Sequence, residues 1–116
     1  SKQKLSGVHP DMVAVVELAI SISEVDFTVL EGIRNINRQR ELYKAGKSTT
    51  MNSRHITGHA VDLAPWPISW DWEDFYPIAE AMKAAAEELE IDIVWGGDWK
   101  SFPDGPHFEL SRKTYP

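Results

Sequence analysis

A chain of 116 residues, 42% hydrophobic and 26% charged, suits one folded domain with its own core and excludes a disordered segment. The net charge of −6 argues against a general nucleic-acid binder, and against electrostatic adhesion to an anionic membrane surface. With no cysteine, disulfides, thiolate metal sites and cysteine nucleophiles are excluded, so any metal must be held by His, Asp or Glu.

In chain order, Met12, Val13, Val16, Ala19 and Ile20 recur at helical spacing, which predicts a helix from Pro10 to Ile22 with the proline at its start. Phe27 to Leu30 reads as a short strand ended at Gly32. Asn37 to Ala45 reads as a second helix stopped by Gly46, and Lys47 to Arg54 as a polar loop. Ala60 to Ala64 alternates as a strand that Pro65 closes. Trp66 to Trp72 is a Trp- and Pro-rich connection. Glu73 to Glu90 is the longest helical stretch, with Asp71 as its expected cap and the regular helix starting near Pro77. On that helix Ala85 and Leu89 are expected to face inward. Ile91 to Trp95 and His107 to Leu110 are the last strands. Helices mixed with non-local strands, without a βαβ rhythm, predict an α+β fold with a mostly antiparallel sheet. No apolar run approaches the roughly 20 residues of a membrane span, and no basic-then-apolar leader opens the sequence, so no secretory signal is expected.

The chain has four histidines: His9, His55, His59 and His107. His55 and His59 are four apart, yet the helical H-E-x-x-H reading fails: Ile56 follows His55 and Gly58 interrupts the turn. A loop leading into a strand fits better. Asp62 then sits between Val61 and Leu63, and a carboxylate buried there needs a metal, an arginine or backbone donors. His107 opens the last strand, with Asp104 three residues earlier across a turn and Glu109 two residues later on the same face. Either acid could serve as a base, with a salt-bridged strand carboxylate the preferred reading of Glu109. His9 is expected to cap or pack the first helix, and His59, the rival ligand, to lie behind the ligands or at the surface. Of Trp66, Trp70, Trp72, Trp95 and Trp99, most are expected in the core, with Trp99 the best candidate for substrate contact.

Together these residues resemble the zinc peptidase family that includes D-Ala-D-Ala carboxypeptidases and phage L-alanyl-D-glutamate endopeptidases. Ser53 to Asp62 matches S-x-H-x-x-G-x-A-x-D at every fixed position, and Asp104 with His107 matches an acid-x-x-His. Gly32-Ile33-Arg34, Gln39 to Gly46 and Val8-His9-Pro10 are similar to further family segments. The resemblance implies that His55, Asp62 and His107 bind one zinc ion per chain. It implies that Asp104 is the catalytic acid/base and that Arg34 steadies an oxyanion or a substrate carboxylate. Ser53 would support the metal-bound histidine or the substrate. The implied fold is the compact α+β zinc fold of these peptidases, also seen in hedgehog-type signalling domains, here as one catalytic domain over 1–116.

Asp at position 104 resembles the endopeptidase branch. The expected substrate is therefore the L-Ala–D-Glu bond of peptidoglycan stem peptides, with a D-Ala-D-Ala carboxypeptidase as the alternative. The expected setting is a phage-type lysin, monomeric and without stable membrane association. It would be made in the host cytoplasm and reach the wall after the membrane is permeabilised. Two other classes are a glycoside hydrolase working through Glu31 and Asp104, which leaves the histidines unexplained, and a zinc-stabilised binding module.

Overall fold

The computed structural model describes residues 3–48 and 53–116. Helix α1 spans Pro10–Ile22, as its periodicity predicts. His9 caps it: its ring Nδ1 accepts the Asp11 N–H at 3.0 Å, while Pro10 occupies the first turn, where no N–H is needed. Strand β1 covers Phe27–Glu31, and α2 covers Ile36–Lys44. The second helix starts one residue before the expected Asn37 because Asn35 is the cap, its side chain accepting the Arg38 N–H at 2.8 Å. Part of the loop expected over Lys47 to Arg54 lies outside the described residues. Strand β2 runs Ala60–Pro65, β3 Ile93–Trp95 and β4 His107–Leu110.

The long helical stretch divides. Trp72–Phe75 forms a 3-10 turn, and α3 proper runs Tyr76–Leu89 with Pro77 in its first turn. Asp71 precedes the 3-10 turn but makes no capping hydrogen bond through its side chain.

Among the described residues the four strands form one antiparallel sheet in the order β1-β2-β4-β3. Strand alternation gives this sheet two different faces. Val61, Leu63, Phe108 and Leu110 point one way and are fully buried with Met12, Val15, Val16 and Ala19 of α1 and Ile78, Met82 and Ala85 of α3. Burial of each large apolar side chain contributes roughly 1.5–3 kcal/mol. The opposite face carries Asp62, His107 and Glu109, and the register lines up its polar groups. Asp62 on β2 lies opposite His107 on β4 and opposite Glu31 on β1, beyond a bulge that interrupts the pairing after Val29. One rung of the sheet thus carries Glu31, Asp62 and His107.

Two expectations about burial are corrected. Of the five tryptophans only Trp95 is buried. Trp66, Trp70 and Trp72 are 60%, 65% and 42% exposed, because the 66–72 connection runs over the surface rather than through the core, and Trp99, in the loop before β4, is 36% exposed. Ile20, which shares the helical spacing of the core residues, and Leu89, expected to face inward, are exposed as well, each in the last turn of its helix.

Candidate metal centre and active site

His55, Asp62 and His107 converge: one ligand atom from each lies within 4.8 Å of the others. Asp62 and His107 meet through strand register. His55 arrives from the loop before β2, and that loop is clamped to the segment after β1. The Arg34 N–H donates to the His55 carbonyl at 2.8 Å, and Ser53 Oγ accepts the His55 N–H at 3.2 Å. Gly58 makes the return to β2 possible. Its φ of +76° is left-handed, and a Cβ there would lie 2.6 Å from the Gly7 carbonyl oxygen.

The donor set fits a cation. His55 Nδ1 lies 2.8 Å from the Gly32 carbonyl oxygen, which can only accept, so Nδ1 carries the proton and Nε2 presents a lone pair. That lone pair faces Asp62 Oδ1 at 3.2 Å. His107 Nε2 is held at 2.8 Å by Glu109 Oε1, so its Nδ1 is the atom aimed at Asp62 Oδ1, at 3.4 Å. Two imidazole lone pairs and a carboxylate oxygen pointing at one another repel unless a proton or a metal ion stands between them. A histidine oriented by a carbonyl and another by a carboxylate is the usual support of a metal-bound imidazole.

The same geometry governs protonation without a metal. Burial works to lower the proton affinity of His107, but hydrogen bonds to Asp62 and Glu109 outweigh it and push its pKa up to about 9. Burial works to raise Asp62, but its hydrogen bonds to His107 and His55 hold it well below the ordinary carboxylate range.

Arg34 is tied in place beside this cluster. Its Nε and Nη2 donate to the two carboxylate oxygens of Glu31, each at 2.8 Å, and Nη1 donates to Gln39 Oε1 at 2.6 Å. Nη2 also lies 3.6 Å from Asp62 Oδ2. Asp62 therefore turns one oxygen to the histidines and the other to the guanidinium. Sequence reading singled out Arg34 and missed how it is held. Glu31 three residues earlier was the available signal, and the buried Gln39 came only with the family pattern. The same contact engages both oxygens of the Glu31 carboxylate and lowers its pKa, which suits it to holding the guanidinium.

Asp104 lines the same cleft as Glu31, Arg34, His55, Asp62 and His107. Its N–H donates to the Gly96 carbonyl at 2.9 Å, and its own carbonyl accepts the His107 N–H at 3.2 Å, which fixes the turn ahead of β4. The residue is exposed overall, yet its carboxyl is partly withdrawn from water. That desolvation, with the Asp62 charge adding to it, raises its pKa. Glu109 is bound to His107 and lies 3.5 Å from Arg112, the salt-bridged arrangement rather than that of a free base. The Trp99 ring sits 5.0 Å from the His107 ring, at the cleft wall. His59 does not join the cluster. Its Nδ1 lies 2.7 Å from Thr57 Oγ1, and its ring packs against His9.

A His–Asp–His donor set on the open face of an antiparallel sheet, with a carboxyl of raised proton affinity beside it, is an arrangement that suits the chemistry of a metallopeptidase. The comparisons with known proteins agree. The family profile described as phage L-alanyl-D-glutamate peptidase matches residues 1–115, and the chain belongs to that family. The L-alanyl-D-glutamate peptidase of Escherichia phage T5 is 35% identical over 122 residues, covering 99% of this chain and 88% of that protein. The crystal structure of the Serratia marcescens L-Ala D-Glu endopeptidase ChiX is 50% identical, with a TM-score of 0.95, covering 100% of this chain and 90% of that one. The vancomycin-resistance D,D-dipeptidase VanXYg, at 18% identity and a TM-score of 0.60, shares the fold over 89% of this chain and 50% of its own.

Proposed function

We propose that the chain is a zinc-dependent peptidoglycan endopeptidase that hydrolyses the L-Ala–D-Glu bond of stem peptides, as one catalytic domain holding one zinc ion. The observation that carries this reading is the convergence of the His55 Nε2 and His107 Nδ1 lone pairs on Asp62 Oδ1. His55, Asp62 and His107 would hold the metal. Two nitrogens and one oxygen are a catalytic zinc set, which leaves a position open. Zinc bound there supplies Lewis acidity toward a carbonyl oxygen and a water molecule.

The remaining chemistry falls to the chain's own side chains. Asp104 accepts the proton of the attacking water on its carboxylate and returns it to the nitrogen of the leaving D-Glu. The raised pKa of Asp104 suits both halves of that task. Arg34, oriented by Glu31 and Gln39, has N–H groups beyond those three bonds to offer to the oxygen on which negative charge develops. Glu109 holds the His107 ring in the orientation that exposes Nδ1. The substrate lies in the cell wall, and in a phage setting the protein reaches it once the membrane is permeabilised. No described helix is long and apolar enough to cross a membrane.

Mass spectrometry of muropeptides digested with the zinc-loaded protein tests the reading. The expected products are cut between L-Ala and D-Glu. Loss of terminal D-Ala alone would replace the endopeptidase with a carboxypeptidase. In the same assay Asp104→Ala is expected to lose turnover while keeping stoichiometric zinc, and loss of zinc would make Asp104 a ligand instead.

A further inference from the structure

A second hollow adjoins the metal cleft, and the chemistry above does not use it. It is lined by Arg54, Trp99, Glu109, Ser111, Arg112 and Lys113, and it shares Ser53, Trp99 and His107 with the cleft. The two hollows therefore adjoin at Ser53, Trp99 and His107, and of the candidate metal ligands His107 lines both. The hollow sets three cations against one carboxylate, on a chain with 12 basic and 18 acidic residues. Its carboxylate is already engaged, by His107 at 2.8 Å and Arg112 at 3.5 Å. Arg54 is a fixed charge: it donates to the carbonyls of Leu110 and Tyr115, and its buried Nε has no partner among the described residues. Arg112 and Lys113 are exposed and face solvent. The lining of the cleft itself is different. Its lining adds the apolar Leu42, Phe102 and Pro103, and its cations Arg34 and Lys47 stand with the acids Glu31, Asp62 and Asp104.

The substrate proposed above has a matching asymmetry. On the L-Ala side the amine is acylated by the lactyl group of the sugar, so that side carries no charge. On the other side D-Glu continues through its side-chain carboxyl, which leaves its α-carboxylate free beside the scissile nitrogen, and further carboxylates follow. We infer that the hollow of Arg54, Arg112 and Lys113 seats the D-Glu-side carboxylates of the stem peptide and so fixes the direction in which the peptide lies. L-Ala and its sugar then extend toward Leu42 and Phe102. The inference rests on the peptidase reading for its substrate, and on the charge of the hollow and the residues it shares with the cleft for its site.

The test compares two synthetic N-acyl-L-Ala-γ-D-Glu peptides, one with the free α-carboxylate and one with the α-carboxamide. A charge-assisted contact predicts that the zinc-loaded protein prefers the carboxylate by about tenfold in kcat/KM. In the double variant Arg112→Gln/Lys113→Gln that ratio is expected to collapse to about one, and in the unaltered protein it is expected to shrink as salt rises. A ratio near one in the unaltered protein, or one that survives both the double variant and salt, overturns the inference. If neither peptide is cut between L-Ala and D-Glu, the peptidase reading fails separately. Titration of the D-Glu-terminated product peptide, followed by calorimetry, then decides the hollow. Binding that the double variant weakens about tenfold sustains it, and binding that is absent or unaltered in the variant overturns it.

Discussion

Gly96→Ala tests whether the position of Asp104 is set by backbone packing. A Cβ at residue 96 would lie 2.5 Å from the Asp104 carbonyl oxygen, 3.0 Å from His107 Cβ and 3.1 Å from Asp104 Cβ. The nearest atom is backbone, so no side-chain rotation relieves the contact. Gly96 also accepts the N–H groups of Asp104 at 2.9 Å and Trp99 at 3.2 Å, so the loop cannot retreat without stretching the bonds that hold it. Restoring ordinary contact requires the Asp104 turn to move by roughly 1 Å, a displacement that in an active site costs on the order of 100-fold in rate. Overpacking of this kind also costs about 1–3 kcal/mol of stability. The expected result is a kcat/KM lowered by about two orders of magnitude on the L-Ala–D-Glu peptide, with zinc still bound and the melting temperature reduced. Steady-state kinetics, metal analysis and thermal unfolding read these separately. Activity within about twofold of the unaltered protein, at an unchanged melting temperature, would show that the Asp104 turn is not held by this packing.

Glu109→Gln removes the charge that orients His107 and is expected to weaken zinc binding by about 10–100-fold, read by competition with a chelator; unchanged affinity would detach Glu109 from the metal site. The metal-free protein should lose stability as pH rises. His107 is raised from 6.5 to about 9 on folding, so its contribution is complete below pH 6.5 and is lost as pH climbs toward 9. Asp62 is lowered on folding, so its contribution is present above its unfolded pKa of 3.8 and lost in acid. Zinc reverses the alkaline trend, because it needs His107 without its proton. The rise in melting temperature on adding zinc should therefore grow from pH 6 to pH 9, and a constant or shrinking rise would contradict the proposed ligand set.

The parts of this protein that were legible along the chain are those decided by near neighbours. Helix α1 has its predicted bounds because periodicity, a proline and a capping histidine lie within one turn of each other. The strand at Ala60 and the strand at His107 are visible as alternation, and the ten-residue motif from Ser53 to Asp62 carried the family. The tryptophans were misplaced for the complementary reason. Residues 66–72 have neither helical nor strand period, so nothing local says which way a ring faces, and the Trp66, Trp70 and Trp72 rings lie at the surface.

Residue type and spacing left His55, Asp62 and His107 no better marked than a buried polar cluster, and it was the family resemblance that singled them out together with Asp104 and Arg34. Their arrangement was legible in neither. Asp62 meets His107 and Glu31 because three strands distant in sequence pair in one register, a choice made by burying Val61, Leu63, Phe108 and Leu110 on the other face. The carbonyl of Gly32 and the carboxylate of Glu109 decide which nitrogen of each imidazole is free, and both are brought in by tertiary contacts. Composition and motif were enough to say which side chains can bind a metal and move a proton. Only the folded chain, by closing long loops around a shared apolar core, could aim their lone pairs at one point.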